Sequence, residues 1–199
     1  MNKKIVLASS NPGKLREFAQ ILATCHLDIV PQNQFNVPEV AETGLSFVEN
    51  ALLKARQAAK YTGLPALSDD SGIAVDALQG VPGIYSARFA GNLATDEDNN
   101  ALLLEKLKLV PDSQRTARYH CVIVYLSHAN DPMPLICQGT WEGSILHEPR
   151  GTHGFGYDPL FYVPTHHCAS AELSPQVKNQ ISHRAQALAC ILQALRARE

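Results

Sequence analysis

The chain opens on a short apolar run. Ile5, Val6, Leu7 and Ala8 predict a buried strand over residues 4–9. Asn11-Pro12 then supplies a helix start, with Asn as the N-cap and Pro at the first helical position. In that helix Leu15, Phe18, Ala19 and Leu22 recur at the three-and-four spacing of one apolar face, while Arg16, Glu17 and Gln20 fall elsewhere. A short strand is expected at 27–30. Ser46-Phe47-Val48-Glu49 has the form of a capping box and predicts a second helix to about residue 61, with Phe47, Ala51, Ala55 and Ala58 on its apolar face. After an apolar stretch at 64–67, Ser68-Asp69-Asp70-Ser71-Gly72 reads as a polar turn that puts two carboxylates at the end of a strand. Alternation resumes over 73–78.

Pro82, flanked by Gly80 and Gly83, marks an ordered loop over 80–91. Thr95 with Asp98 three residues on caps a third helix that carries Leu102, Leu103 and Leu107. Residues 117–127 are rich in β-branched and aromatic side chains, and 135–139 reads as the hairpin partner across a turn at Ala129-Asn130-Asp131-Pro132. Strands at 141–146 and 160–163 extend the sheet. The tail from Ser174-Pro175 to residue 198 is helical, with Ala185, Leu188, Leu192 and Leu195 on one face and a kink near Ser182. With no repeat, low-complexity tract or linker, this order predicts an α/β fold: a mixed β-sheet flanked by helices, as one domain or two tightly joined lobes.

Composition removes several function classes. At 199 residues and 45% hydrophobic, the chain can bury a sizeable core, which excludes a disordered tether. A net charge of −2 gives no overall attraction to a nucleic-acid backbone, although a few well-placed lysines suffice for a small anion. No apolar run approaches the ~20 residues that cross a bilayer, and the start at Met1 leads into a strand instead of a leader core, so no membrane association and a cytoplasmic location are expected. Cys25, Cys121, Cys137, Cys168 and Cys190 are odd in number and far apart, which predicts reduced thiols and neither a disulfide framework nor a zinc ribbon. His166-His167-Cys168 lacks a second ligand pair to complete a zinc site.

Five groups of residues could carry chemistry, and each has a plain structural alternative. Ser9-Ser10-Asn11-Pro12-Gly13-Lys14 is a strand-to-helix junction whose backbone N–H groups suit a phosphate, or an ordinary capped helix; it lacks the Walker spacing. Glu42, Asp69 and Asp70 are hard oxygen donors of the kind that hold magnesium, or members of solvated turns. Lys54 shares a helix face with Asn50, turned away from Phe47, and by default is a solvated lysine. Gly154-Phe155-Gly156-Tyr157-Asp158-Pro159 lets a backbone approach a ligand and offers a ring for stacking, or is a turn with a core aromatic. Lys178, His183 and Arg184 lie in a donor-rich segment that fits an oxygen-bearing purine edge, or is a solvated helix face.

In chain order these pieces, with Glu42-Thr43-Gly44, Glu49-Asn50-Ala51 and Gly83-Ile84-Tyr85-Ser86-Ala87-Arg88, resemble the inosine triphosphate pyrophosphatase family over nearly the whole chain, and within it the bacterial dITP/XTP pyrophosphatase branch. The resemblance implies one elongated domain of two lobes with a nucleotide in the cleft between them, usually a homodimer. It implies hydrolysis of ITP, dITP and XTP with Mg2+ as cofactor. By matching position, Ser9, Ser10, Asn11, Gly13, Lys14 and Lys54 would hold phosphates. Glu42 and Asp70 would bind the metal, with Asp70 as general base and Asp69 in support. Ser71 would contact substrate, Phe155 would stack on the purine, Gly156, Tyr157 and Asp158 would line the base pocket, and Lys178, His183 and Arg184 would read the purine edge. The chain has Ser9-Ser10 where relatives often have Thr-Gly, and His153 at a position that is often small. Two rival readings are a nucleotide-binding regulatory module without hydrolysis and a nucleic-acid-binding protein.

Overall fold

The computed structural model describes residues 4–23, 25 and 27–198. Met1, from which no leader was expected, lies outside them with its two neighbours. Among the described residues seven strands form one mixed sheet flanked by helices: β1 (Lys4–Ala8), β2 (Asp28–Pro31), β3 (Ala66–Val75), β4 (Thr116–Leu126), β5 (Leu135–Ile145), β6 (Phe161–Val163) and β7 (Cys168–Ala169), in the order β2-β1-β3-β4-β5-β6-β7. β1 runs parallel to both β2 and β3, whereas β6 is antiparallel to β5 and β7. The helices are α1 (Pro12–Leu22), α2 (Phe47–Thr62), α3 (Asp96–Lys106), α4 (Pro175–Ile181) and α5 (His183–Arg196). None of the described helices is long and apolar enough to cross a membrane.

Contacts divide the chain into two compact units. The first comprises Met1–Asp70, Cys121–Gly139 and Arg184–Glu199. Its strands carry side chains to alternate faces, so Ile5 and Leu7 of β1 join Cys121, Ile123 and Tyr125 of β4 in one cluster, while Val6 and Ala8 join Val122 and Val124 in another. Phe18 and Leu22 of α1 with Leu188 and Ile191 of α5 cover the first face, and Ala51, Ala55 and Ala58 of α2 cover the second. The second unit, Ser71–His120 and Thr140–His183, packs Leu103 and Leu107 against Ile73, Tyr119, Trp141 and Phe161.

The caps form as the sequence indicates: Asn11 accepts from the Lys14 amide, Ser46 from the Glu49 amide, and Thr95 and Asp98 complete a capping box. The helical tail breaks at Ser182, whose ψ of 162° is extended. Four expectations change. On α1, Glu17 is buried and Ala19 exposed, because the acid has a buried guanidinium partner at Arg184. Residues 68–72 form no turn: β3 runs through them, since Ser68 donates to the Ala51 carbonyl (2.5 Å) and both aspartates meet cations. The strands expected at 135–139 and 141–146 are one strand, β5. The fourth concerns the thiols. Cys137 on β5 and Cys190 on α5 form a disulfide with Cα atoms 5.9 Å apart, where reduced cysteines were expected; 53 residues separate them, and only the packing of α5 against the sheet brings them together.

The turn at 127–133 is held by Asp131, whose carboxylate accepts from the Ser127 amide (2.9 Å), the Ser127 hydroxyl (2.6 Å) and the Met133 amide (2.8 Å). The Ser127 hydrogen bonds, foremost, hold its carboxyl at about 2, below the ordinary 3.8. A depressed folded-state value means that its stabilisation is complete above the unfolded value and fades as pH falls toward the folded one. Asp131→Ala is therefore expected to lower stability at neutral pH by about 2 kcal/mol, through three donors losing their acceptor. Urea titrations should show the gap between variant and wild type closing between pH 4 and pH 2.

Candidate active site

In the first unit the site is built around two neighbouring residues of β3. A strand sends successive side chains to opposite faces, so Asp69 follows Leu67 toward α1 and α5, whereas Asp70 follows Ser68 toward α2. Asp69 meets Lys14 of α1 (3.0 Å) and Arg184 of α5 (3.2 Å), and Arg184 also pairs with Glu17. Asp70 meets Lys54 of α2 (3.1 Å), whose ammonium also reaches Glu42 (2.7 Å). Glu42 is brought to that point by the loop before α2, where the Gly44 amide donates to the Asn50 side chain (2.8 Å). A Cβ at Gly44 would lie 2.8 Å from the same Asn50 oxygen, so the loop sits against the helix only because residue 44 has no side chain.

Burial and charge act differently on the two acids. Burial alone would raise Asp69, but Lys14 and Arg184, with Lys54 beyond, outweigh it and hold the carboxyl well below the usual range. For Asp70 burial prevails. It pushes the carboxyl up, opposed by Lys54 and Lys14 and reinforced by Glu42 and Asp69, and leaves a more basic carboxylate than an exposed aspartate. Its Oδ2 is buried and has no hydrogen-bond partner. Lys54 is raised: burial works against its charge, and Asp70, Asp69 and Glu42 more than compensate. Nearby, the α1 N-terminus has no acidic residue in its first turn, leaving the positive end of the helix without a counter-charge from its own side chains. Ser9 and Gly13 are buried at this junction, the Ser10 hydroxyl accepts from Gln32 (3.1 Å), and the Asn11 side chain is engaged as the cap.

The second unit holds the aromatic group. Gly154 and Gly156 have φ of +79° and +62°, and the loop they shape is gathered around Asp158. Asp158 accepts from the Phe155 amide (2.9 Å), the Ser170 hydroxyl (2.9 Å) and the Lys178 ammonium (2.5 Å). That ammonium lies 5.1 Å from the centre of the Phe155 ring. Tyr157 is buried and donates to the Ser86 carbonyl (2.8 Å), while burial raises its hydroxyl. The His183 ring stacks on Tyr119, centroids 4.6 Å apart and planes within 7°.

A model of the Ham1 family matches residues 5–194. The chain belongs to the Ham1 family. Among its relatives, a dITP/XTP pyrophosphatase of Vibrio cholerae serotype O1 is 57% identical over 193 residues, covering 97% of this chain and 96% of that protein. One of Escherichia coli strain K12 is 58% identical over 194 residues, covering 98% of both. The solved structure of a HAM1 protein from Coxiella burnetii superposes with a TM-score of 0.91 at 53% identity, covering 99% of this chain and all of that one. For the Staphylococcus aureus Ham1 protein the TM-score is 0.87 at 40% identity, with the same coverage.

In this member of the Ham1 family the structure gathers Lys14, Glu42, Lys54, Asp69 and Asp70 in the first unit and Phe155, Gly156, Tyr157, Asp158 and Lys178 in the second, where His183 packs against Tyr119 and Trp141. Ser71 is half-buried on β3. Arg184 pairs its guanidinium with Glu17 and Asp69 and has a side-chain exposure of 1%. Glu17 and Ser170 were not singled out in the sequence. A charged residue four positions after Gly13 and next to Phe18 was a signal for Glu17, whereas nothing local marks Ser170.

Proposed function

We propose that the chain hydrolyses non-standard purine nucleoside triphosphates, namely dITP, XTP and ITP, to the nucleoside monophosphate and pyrophosphate. The observation that carries this reading is Asp70: a buried, raised carboxylate on β3 with one oxygen lacking a partner, facing a lysine that also holds Glu42. Relatives named dITP/XTP pyrophosphatase, at 57% and 58% identity over nearly the whole chain, supply the substrate class.

Glu42 and Asp70 would hold Mg2+. Both offer hard oxygen donors, they converge on one ammonium, and Asp70 Oδ2 is short of a partner. The remaining ligands of the ion would come from phosphate and water. When bound, the ion offsets phosphate charge and lowers the pKa of a coordinated water. Asp70 accepts the proton of the water that attacks the α-phosphorus, and pyrophosphate leaves from the opposite side. Lys14, Lys54 and the Ser9, Ser10, Asn11 and Gly13 junction bind the phosphate oxygens. Asp69, clamped by Lys14 and Arg184, stays ionised and holds Lys14 in place.

In the second unit Phe155 stacks on the purine beside Gly156 and Tyr157, and Lys178, steadied by Asp158, donates to the 6-oxo group together with His183. Adenine carries an amino group at that position and would leave the buried donors without an acceptor. Pyrophosphate release with Mg2+ is accordingly expected to be about a hundredfold or more faster in kcat/KM for ITP and XTP than for ATP. Equal values would overturn the assignment, and tight binding with no release would favour a regulatory module. A homodimer in the cytoplasm belongs to the same proposal. The exposed Val81, Tyr85 and Leu93 support a protein partner, and sedimentation at micromolar concentration tests it.

A further inference from the structure

We propose that Asp96 and Asn100 of α3 are positioning residues for the base, acting through the backbone of Gly156. The proposal rests on the reading of Phe155 and Lys178 as base-binding groups.

Gly156 adopts a left-handed φ of +62°, and both of its backbone polar groups are taken by a single turn of α3. Its amide donates to Asp96 Oδ2 at 2.6 Å, and its carbonyl accepts from Asn100 Nδ2 at 2.9 Å. The two side chains are four residues apart, so they stand on one side of the helix and reach the loop together. Asn100 Nδ2 also donates to the Asp96 carbonyl at 2.8 Å, which ties the two grips to each other. The helix start is itself anchored, because Asn99 accepts from the Ala90 amide (2.8 Å) and donates to the Ala87 carbonyl (3.3 Å).

The consequence falls on Phe155. The loop is tied on one side by Asp158, through the Phe155 amide, and on the other by Tyr157, through Ser86. Without α3, the peptide between those ties could rotate at Gly156, where a glycine gives the backbone its widest conformational freedom. The grip of Asp96 and Asn100 removes that rotation, and so fixes the ring over the Lys178 ammonium. Asp96 is exposed and Asn100 buried, so neither owes its place to a wide apolar contact.

The test uses the full-length protein with four variants. Asp96→Ala removes the acceptor, and Asn100→Asp turns a donor into an acceptor facing two carbonyls. Asp96→Asn keeps an oxygen for the Gly156 amide, and Glu97→Ala removes a neighbouring first-turn acid that makes no bond to the loop. Three quantities are read: KM and kcat for ITP, the dissociation constant for inosine monophosphate from Trp141 fluorescence or calorimetry, and the inhibition constant of inorganic tripolyphosphate.

Asp96→Ala and Asn100→Asp are expected to raise KM and the monophosphate dissociation constant about five- to tenfold, the worth of one lost hydrogen bond, with kcat within about twofold. Asp96→Asn and Glu97→Ala should stay within about twofold of wild type, since the acceptor is kept in one and never used in the other. Tripolyphosphate, which has no base, should inhibit all variants equally. Unchanged nucleotide affinity in Asp96→Ala and Asn100→Asp overturns the proposal, and so does an equal weakening of tripolyphosphate, which would mark a general loss of structure. A wild-type protein that neither binds the monophosphate nor hydrolyses ITP would instead remove the functional reading beneath it.

Discussion

Asp70→Asn is expected to lower kcat for ITP about a thousandfold while leaving the melting temperature unchanged or higher. The loss follows from the base: an amide cannot take the proton from the attacking water, and general-base contributions are of this order. The stability side follows from the sign of the pKa shift. Burial raises the Asp70 carboxyl in the folded state, so the fold favours its neutral form. Stability linked to this group is present at low pH and is lost as pH rises through the folded-state value, which at neutrality leaves a charged group whose burial is a cost. Asn removes that cost and keeps an oxygen for Lys54, whose ammonium retains Glu42 as a counter-charge in place of the lost carboxylate. Steady-state pyrophosphate release with saturating ITP and Mg2+, paired with calorimetric melting, measures both effects. A kcat within tenfold of wild type would show that the proton goes elsewhere, and a sharp drop in melting temperature would make Asp70 chiefly a structural partner of Lys54.

Arg184→Met should have the reverse profile. The guanidinium bridges Glu17 and Asp69 in the interior; burial works against its charge, and the two carboxylates push its pKa up all the same. Removing one member of such a group strands the others, at a cost of about 3–5 kcal/mol, which for a chain of this length is about 10 °C in melting temperature. Methionine fills much of the space, so the loss reports charge more than volume. The stranded acids would be raised, so the variant should lose less stability relative to wild type at pH 4.5 than at pH 8. The preference for ITP over ATP is expected to persist in the folded fraction, because the guanidinium is only 1% exposed and pairs with both Glu17 and Asp69. A fall in that preference at unaltered stability would support the purine-reading role that the family resemblance implies for Arg184.

Much of the fold could be read from local signals. The N-caps at Asn11, Ser46 and Thr95 are short-range chemistry, and each forms where its residues stand. The β3 segment could not be read in this way. Ser68, Asp69, Asp70, Ser71 and Gly72 have the composition of a turn, and they remain extended because Ala51, Lys14, Arg184 and Lys54 supply partners from distant parts of the chain. The disulfide has the same origin, since a separation of 53 residues carries no spacing signal. Glu17 was misplaced because periodicity sorts residues by polarity, and a buried acid with a buried cation breaks that rule. At the candidate site, Glu42 and Asp70 could be named singly from sequence, but their sharing of the Lys54 ammonium could not.

The alternation of Asp69 and Asp70 also limits which changes of length the protein can survive. Removing one residue of β3 ahead of Asp69 would put Asp70 in the place that faces Arg184, and adding one would put Asp69 in the place that faces Lys54, because every later side chain of the strand turns to the opposite face. The protein would keep its inventory of charges and exchange their addresses. Variation in chain length is therefore expected to collect in surface connections, and the short run from Ala66 to Asp70 should admit substitution far more readily than insertion or deletion.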